Sequence, residues 1–309
     1  MQTCRAAYAI RESLAAGHVD GRAVVIAGTF AGSVHVSDAA DGAPIRPRFS
    51  AHAGPVQGAA YVEIDAKPLL VTGSSSGGDM FCWDVGANPP KAQSLGSYGS
   101  VFAIESLLID DRPCVAFEGF NHQIVLWDFT KGAQIRPPFE GHSANLFCLR
   151  SCTVGGRLLL ASSGQGPGIR LWDVRAGAPP AIIDTSRSWT AGLAFGPWQG
   201  QTALFSGSYR GEILVWDPED GRPLGGDFQA HAEPINTIVI GQTDGATVGV
   251  SGSADQTLAV WRPTGEILHR VDLGSWILAI KPIGADRMAV GTAKGLLVIS
   301  FPGLSFEGL

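Results

Sequence analysis

One short motif recurs along the chain at a nearly constant spacing. Its clearest copies are IVLWD (124–128), IRLWD (169–173) and ILVWD (213–217). Successive copies begin 39 to 46 residues apart when they are aligned on the tryptophan. A fixed period in this range indicates an array of one repeated supersecondary unit. The aligned positions are Ser37, Trp83, Trp127, Trp172, Trp216, Trp261 and Ser300.

Each repeat contains four short apolar runs and no helical stripe. In the sixth repeat the runs are INTIVI (235–240), ATVGVSGS (246–253), TLAVW (257–261) and EILHRV (266–271). Turns rich in Gly, Pro and Asp separate them, which predicts a four-stranded antiparallel meander. A lone sheet of this kind cannot bury both faces. Seven of them packed face to face can, so the sequence predicts an all-β fold, a seven-bladed β-propeller with four-stranded antiparallel blades.

The repeats occupy the chain without an internal linker, which predicts a single propeller domain over residues 1–309. Closure of the seventh blade stays open at this stage. The segment LSFEGL (304–309) could complete it, or closure is imperfect, because strand-like sequence begins within the first few residues. The blades are expected to end near residues 50, 97, 139, 184, 229, 272 and 309.

The recurring motif, with GHSANLF (141–147) about thirty residues before one of its copies, resembles the WD-repeat family. The resemblance covers nearly the whole chain. Ser37 and Ser300 replace tryptophan in the outermost repeats, and Arg262 replaces the aspartate that usually follows it. The first and last blades are therefore the weakest matches.

The stretch SGSADQTLAVW (251–261) contains the serine and aspartate of a possible hydrolytic triad, and His231 precedes it. The resemblance implies a different role, a buried hydrogen-bonded tetrad of His231, Ser251, Asp255 and Trp261. Indole and hydroxyl groups donate, imidazole donates and accepts, and a carboxylate accepts, so the four groups can satisfy one another in a core.

The repeat pattern favours the structural role over catalysis. His52, His142 and His231 are separated by twice the period, so they occupy one position in three blades. A catalytic site is normally made once, whereas a scaffold bond can recur. Six residues before each aligned position, only the sixth repeat has an acid, Asp255. We expect a complete tetrad in that blade alone, and no catalytic residue.

Composition argues against several functions. The net charge of −6 and the lack of a Lys/Arg cluster argue against nucleic acid as a partner. No apolar run approaches the roughly 18 residues that span a membrane. Five cysteines without a CxxC pair are typical of reduced thiols in a cytoplasmic protein. The histidines lack metal-ligand spacing, and phosphate-loop and GxSxG motifs are missing, which predicts no metal, no cofactor and no enzyme.

Aromatic residues concentrate at one predicted end of the blades, where the turn between the second and third strands emerges. Such residues mark partner surfaces. The alternative is that they pack between blades or plug the channel. Trp198, at the opposite end, is a second exposed candidate. The predicted partner-binding residues are Tyr8, Phe30, Phe102, Phe120, Phe147 and Tyr209, with Arg210 in a polar rim.

This prediction depends on an alignment of the first strand of each blade. The aligned starting residues are expected to point into the contacts between blades, and the residues that follow them to face the other way. The starting residues are Ala7, Val56, Val101, Leu146, Trp189, Ile235 and Trp276.

The leading hypothesis is a non-enzymatic, monomeric, cytoplasmic scaffold that binds a protein or peptide on its loop-bearing face. One alternative is a regulatory or sensor domain of a longer signalling protein. Another is a propeller hydrolase or lyase acting at the central channel, which the near absence of ionisable groups among the predicted channel-mouth residues disfavours.

Overall fold

The computed structural model describes residues 13–166, 168–177, 180–185 and 188–306. Within these residues the strands form seven antiparallel sheets, and the helical content is one 3-10 turn, Phe120–His122. The all-β, seven-bladed propeller class predicted from the repeat is confirmed.

The first three sheets each contain four strands in chain order. The first comprises β1 (Leu14–Val19), β2 (Arg22–Gly28), β3 (Ser33–Asp38) and β4 (Phe49–Ser50). The second comprises β5 (Val56–Ile64), β6 (Lys67–Ser74), β7 (Asp79–Asp84) and β8 (Lys91–Ser97). The third comprises β9 (Ile104–Ile109), β10 (Arg112–Glu118), β11 (Ile124–Asp128) and β12 (Ala133–Gln134).

The next three sheets repeat this order. The fourth comprises β13 (Leu146–Val154), β14 (Arg157–Gly164), β15 (Ile169–Asp173) and β16 (Ala181–Ile183). The fifth comprises β17 (Thr190–Trp198), β18 (Gln201–Ser208), β19 (Glu212–Trp216) and β20 (Phe228–Gln229). The sixth comprises β21 (Ile235–Thr243), β22 (Ala246–Ser253), β23 (Thr257–Trp261) and β24 (Ile267–Asp272).

The seventh sheet has three strands among the described residues, β25 (Ile277–Pro282), β26 (Arg287–Thr292) and β27 (Gly295–Ser300). The segment after β27 pairs with the sixth sheet. Backbone hydrogen bonds of 2.7 Å join Ser305 and Gln242 in both directions. The start of LSFEGL thus bonds to the end of β21, and residues 307–309 lie outside the described part of the chain.

The described residues form two compact units, one within Met1–Leu146 and Ala289–Ile299, the other within Phe147–Met288 and Ser300–Leu309. In the first, a core cluster between sheets one and two includes Ile26, Val56 and Leu70.

In the second unit, the corresponding cluster between sheets five and six includes Phe205, Ile235 and Trp261. The rings of Phe205 and Trp261 lie 5.9 Å apart. In both units the apolar residues of successive strands therefore bury one sheet against the next, as period-2 alternation requires.

Candidate functional site

Four side chains of the sixth sheet form one buried chain of hydrogen bonds. Trp261 Nε1, at the end of β23, donates to Ser251 Oγ on β22 over 3.0 Å. Ser251 Oγ lies 2.8 Å from His231 Nε2, and His231 Nδ1 lies 3.0 Å from Asp255 Oδ2. The structure therefore brings the four predicted tetrad residues into direct contact.

Burial sets the protonation state of this chain. It lowers the pKa of His231, and the neighbouring Asp255 carboxylate offsets only part of that effect. Burial acts to raise the pKa of Asp255, but hydrogen bonds from Thr257 and Ala232 and the interaction with His231 together hold that pKa below its usual value. The neutral imidazole of His231 therefore donates a hydrogen bond from Nδ1 to the Asp255 carboxylate. Its Nε2 accepts a hydrogen bond from the Ser251 hydroxyl.

These bonds have the connectivity of a hydrolytic triad but not its accessibility. Ser251 is completely buried and His231 is 2% exposed. The Ser251 oxygen already accepts the indole N–H of Trp261. A nucleophile must reach a substrate carbonyl, and this serine cannot. The arrangement can satisfy buried polar groups, and it offers no route for a substrate.

Parts of the same network recur in other sheets. In the second sheet, Trp83 Nε1 donates to Thr72 Oγ1 over 3.0 Å, and His52 Nε2 lies 2.9 Å from the same oxygen. Burial lowers the pKa of His52 to about 4, despite the opposing charge of Asp79.

The fourth and fifth sheets keep the bond from tryptophan to hydroxyl. Trp172 Nε1 donates to Ser162 Oγ, and Trp216 Nε1 donates to Ser206 Oγ, each over 2.8 Å. His142, in the position that aligns with His231, is buried as well. The tryptophan position therefore has a repeated polar partner, and a scaffold bond explains that repetition better than a catalytic role does.

Two predicted partner-binding residues of the first unit are strongly exposed. Phe30 and Phe120 are 56% and 55% exposed, whereas Phe102 is half-buried. Tyr8 lies outside the described residues, as does Ala7. The Phe120 side chain projects from the 3-10 turn next to Asn121, which has a left-handed backbone with φ of 55°. An exposed phenyl ring on a tight turn is available for contact.

In the second unit, three aromatic rings form a cluster near the starts of β13 and β17 and the end of β18. The rings of Phe147 and Tyr209 stack with centroids 6.5 Å apart. Trp189 meets Tyr209 edge to face at 5.2 Å, and its backbone oxygen accepts the Tyr209 N–H over 2.9 Å. Arg210 beside them is exposed. We call Phe147, Trp189 and Tyr209 the aromatic cluster.

The expected burial was wrong for two of the aligned starting residues. Trp189 and Trp276, expected to point into contacts between blades, are 44% and 58% exposed. The strands begin one residue later, at the buried Thr190 and Ile277. For the fifth sheet, sequence spacing could have located the strand start, because Thr190 precedes Trp216 by 26 residues, as Ile235 precedes Trp261.

The expectation that Trp198 is exposed was also wrong. Trp198 ends β17 with only 8% of its surface exposed. Its ring meets Phe205 edge to face at 6.4 Å and belongs to the core cluster of sheets five and six. The segment GPWQGQ resembles a loop in sequence, but β17 and β18 extend through it to a tight turn.

Sequence reasoning missed Glu118, a completely buried carboxylate at the end of β10. Its Oε1 lies 3.0 Å from His122 Nδ1 and accepts the Leu146 N–H over 3.2 Å. Burial raises the pKa of Glu118 to about 7, although the His122 and Leu146 bonds act in the opposite direction.

An internal comparison of the repeats could have found Glu118. It pairs with Ile124, three residues before the tryptophan position. Four other sheets have glycine at this place, because a Cβ there would collide with a valine or isoleucine at or just before the start of the next sheet. An acid where other repeats require glycine is therefore a strong signal. The glycines are Gly28, Gly73, Gly207 and Gly252.

Other chemistry is not apparent in the described part of the chain. Those residues contain no group of three or more His, Cys, Asp or Glu side chains placed to hold a metal. They also contain no helix that is long and apolar enough to cross a membrane.

Sequence comparison relates the chain to several larger proteins. It is 31% identical to telomerase protein component 1 of Mus musculus over 130 residues, 41% of this chain and 5% of that protein. It is 27% identical to the ribosome biogenesis protein WDR12 homolog of Arabidopsis thaliana over 169 residues, 52% and 36% of the two chains. It is 25% identical to the coronin-like protein crn1 of Schizosaccharomyces pombe over 166 residues, which are 48% of this chain and 26% of that protein.

The chain therefore spans less than half the length of each of these relatives. No protein-family model matches it. The relatives are WD-repeat proteins, and the fold is an all-β, seven-bladed propeller. In its recurring motif and its propeller fold, the chain is similar to these WD-repeat proteins.

Proposed function

We propose that this protein is a non-enzymatic interaction module that binds a protein or peptide through aromatic side chains of its turns. The observation that carries the proposal is the exposure of large aromatic residues at those turns. Phe30 and Phe120 are more than half exposed in the first unit, and Trp189 is 44% exposed within the aromatic cluster of the second. The similarity of the chain to WD-repeat proteins supports an interaction scaffold.

Exposed aromatic rings suit this role because they bury a large apolar area on contact. Trp and Tyr are also enriched among residues that dominate binding energy. The second unit holds its rings in place before binding. The Tyr209 N–H donates to both the Trp189 carbonyl and the Ser188 hydroxyl, at 2.9 and 3.0 Å. A turn that is already ordered loses little conformational entropy when a partner binds.

The non-enzymatic part of the proposal rests on accessibility. The serine, histidine and carboxylate that share hydrogen bonds in the sixth sheet are buried, and the Glu118 carboxylate is completely so. We extend the proposal to a monomeric protein of the cytoplasm. Four cysteines in the described residues, Cys82, Cys114, Cys148 and Cys152, are free thiols, which supports a reducing compartment.

Affinity capture from a cell lysate with matched variants tests this function. The test variants are Phe30→Ala with Phe120→Ala, and Trp189→Ala with Tyr209→Ala. The control is Leu108→Ala with Ile182→Ala, two 60% and 62% exposed aliphatic side chains on strands β9 and β16.

We expect wild type and control to capture at least one protein equally. The captured amount of that protein should fall at least about tenfold with one aromatic variant, as loss of a hot spot predicts. Melting temperatures verify that each variant is folded. If every captured protein binds both aromatic variants as well as it binds wild type, the proposal is rejected.

A further inference from the structure

The first unit contains a cavity of about 350 Å³ that the proposed function does not use. Residues of sheets two and three line it, among them Trp127 near the end of β11. The turn that exposes Phe120 precedes the other end of this strand. Pockets that bury small molecules commonly measure about 300–1,000 Å³, so this one has the size of a small-ligand site.

Trp127 differs from the tryptophans of the neighbouring repeats, because its indole N–H has no hydrogen-bond partner among the residues that the structure describes. In sheets two, four, five and six, the corresponding N–H donates to a Ser or Thr hydroxyl. Phe117 occupies the position that Ser251 has in the sixth sheet. Its ring meets Tyr98 edge to face, with centroids 4.7 Å apart. The third sheet therefore fills the place of the acceptor with hydrocarbon and leaves the Trp127 donor available.

The cavity also has apolar walls that a ligand can contact. Trp127 and Phe129 of the third sheet are each partly exposed, as are Ile64 and Leu69 of the second. Aromatic side chains pack favourably against other rings in offset or edge-to-face arrangements. An aromatic body therefore suits this lining, because it covers apolar surface that the protein itself leaves uncovered.

The charged side chains that line the cavity are balanced. Asp84 and Lys91 lie opposite each other where β7 pairs with β8. Asp84 Oδ1 accepts the N–H groups of Gly86 and Ala87, each over 3.1 Å. The described lining residues include no further Asp, Glu, Lys or Arg. A charged ligand would lose its hydration without meeting a net opposite charge, so the lining favours a neutral one.

We infer that this cavity binds a small neutral aromatic molecule that carries a hydrogen-bond acceptor, such as an aryl ketone. The aromatic body packs on Trp127, Phe129 and Leu69, and the carbonyl oxygen accepts the Trp127 indole N–H. A ligand of the same shape without an acceptor would cover this N–H and leave it unpaired, which weakens binding. The inference does not depend on the proposed interaction function.

Two probes of nearly the same shape test this inference on the intact protein. The first is 2-acetylnaphthalene, an aryl ketone, and the second is 2-isopropenylnaphthalene, in which a methylene group replaces the carbonyl oxygen. Nuclear magnetic resonance of the ¹⁵N-labelled protein follows the indole N–H signals of its eight tryptophans. The Trp127 signal is the one that disappears in Trp127→Phe.

We expect the ketone to shift the Trp127 signal saturably and to bind at least about tenfold more tightly than the alkene, since only the ketone pairs the donor. Equal affinity for both probes overturns the inference. So does the lack of a saturable shift at Trp127.

Variants then locate the site. Trp127→Phe keeps an aromatic ring without the N–H, so the preference for the ketone should disappear. Trp276→Phe is the matched control, since it removes an indole that is 58% exposed in the second unit, and it should keep the preference. A tenfold preference that survives Trp127→Phe overturns the assignment.

A second pair of variants tests the cavity itself. Ala92→Phe places a ring among the lining residues of β8 and should abolish binding of both probes. Ala246→Phe, at an exposed position on β22, is its control and should bind both as wild type does. Ketone binding that is unchanged in Ala92→Phe also overturns the assignment. If either Trp127→Phe or Ala92→Phe does not fold, the other decides.

Discussion

The sixth and third sheets share one strand pattern but use polar residues in opposite ways. In the sixth, Ser251 and Asp255 occupy positions where the third has Phe117 and Asn121. The sixth sheet satisfies the polar groups of its tetrad internally and buries Trp261 completely, whereas Trp127 of the third sheet is only half-buried.

The third sheet places its carboxylate elsewhere, at the end of β10. Glu118 stands where the sixth sheet has Gly252, and it contacts His122 in the turn that exposes Phe120. The same strand arrangement can therefore enclose a buried hydrogen-bonded tetrad in one sheet and hold the Glu118–His122 pair beside an exposed turn in another.

The largest expected effect comes from moving the third sheet's carboxylate into the sixth. Gly252→Glu should lower the free energy of unfolding by more than about 3 kcal/mol, because its Cβ would collide with Ile277 and its charge would be buried. Gly284→Glu is the control, since only the side chain of Arg287 comes within 4 Å of that position. Chemical denaturation of both variants measures the difference. A similar loss in both would show that the glycine position has no special requirement.

The next effect is a pH dependence specific to the third sheet. The pKa of Glu118 is about 7 when folded, against an ordinary value of 4.5, so the folded state binds this proton more tightly. Glu118 therefore favours folding most at low pH, and that contribution is lost as pH rises through about 7, by up to about 3 kcal/mol.

Glu118→Gln removes this titration, so wild type should lose stability relative to the variant between pH 5 and pH 8. Urea unfolding across that range measures the difference. The exposed Glu233→Gln is the control, and its free energy of unfolding should change with pH as that of wild type does. Parallel curves for wild type and Glu118→Gln would contradict the raised pKa.

Removing the carboxylate of the sixth sheet should have an intermediate effect. Asp255→Ala removes the carboxylate that accepts from His231 and from the Ala232 N–H, which should cost roughly 1–3 kcal/mol. The exposed Asp184→Ala is the control and should change stability little. An unchanged melting temperature for Asp255→Ala would refute the stabilising role of the tetrad.

The smallest expected effect separates the two tryptophans. Trp261→Phe removes the hydrogen bond to Ser251 from a fully buried site, at a cost of about 1–2 kcal/mol. Trp127→Phe, in a half-buried site, should cost less than about 1 kcal/mol. Thermal unfolding of the two variants compares them directly. Equal losses would mean that the hydrogen bond of the sixth sheet contributes nothing measurable.

Most of the fold could be predicted because seven copies of one repeat indicate the same succession of strands and turns. Averaging over copies reveals strand order and the tryptophan position even where single copies deviate, as at Ser37 and Ser300. The contacts of His231, Ser251, Asp255 and Trp261 were implied by the resemblance to WD-repeat blades, and the alignment placed the complete set in the sixth sheet alone. Exposure was harder to predict, since one residue of misalignment moved Trp189 and Trp276 from an expected buried position to an exposed one.

The sequence by itself determined the number of sheets and their antiparallel order, because these depend on the repeat period and on short-range spacing within one repeat. Only the tertiary structure decided that Trp198 is core, that Trp189 is surface and that Glu118 has a pKa near 7. Those properties depend on atoms that neighbouring sheets contribute from distant parts of the chain. Periodicity shows which face of a strand a side chain occupies, but burial depends on what packs against that face.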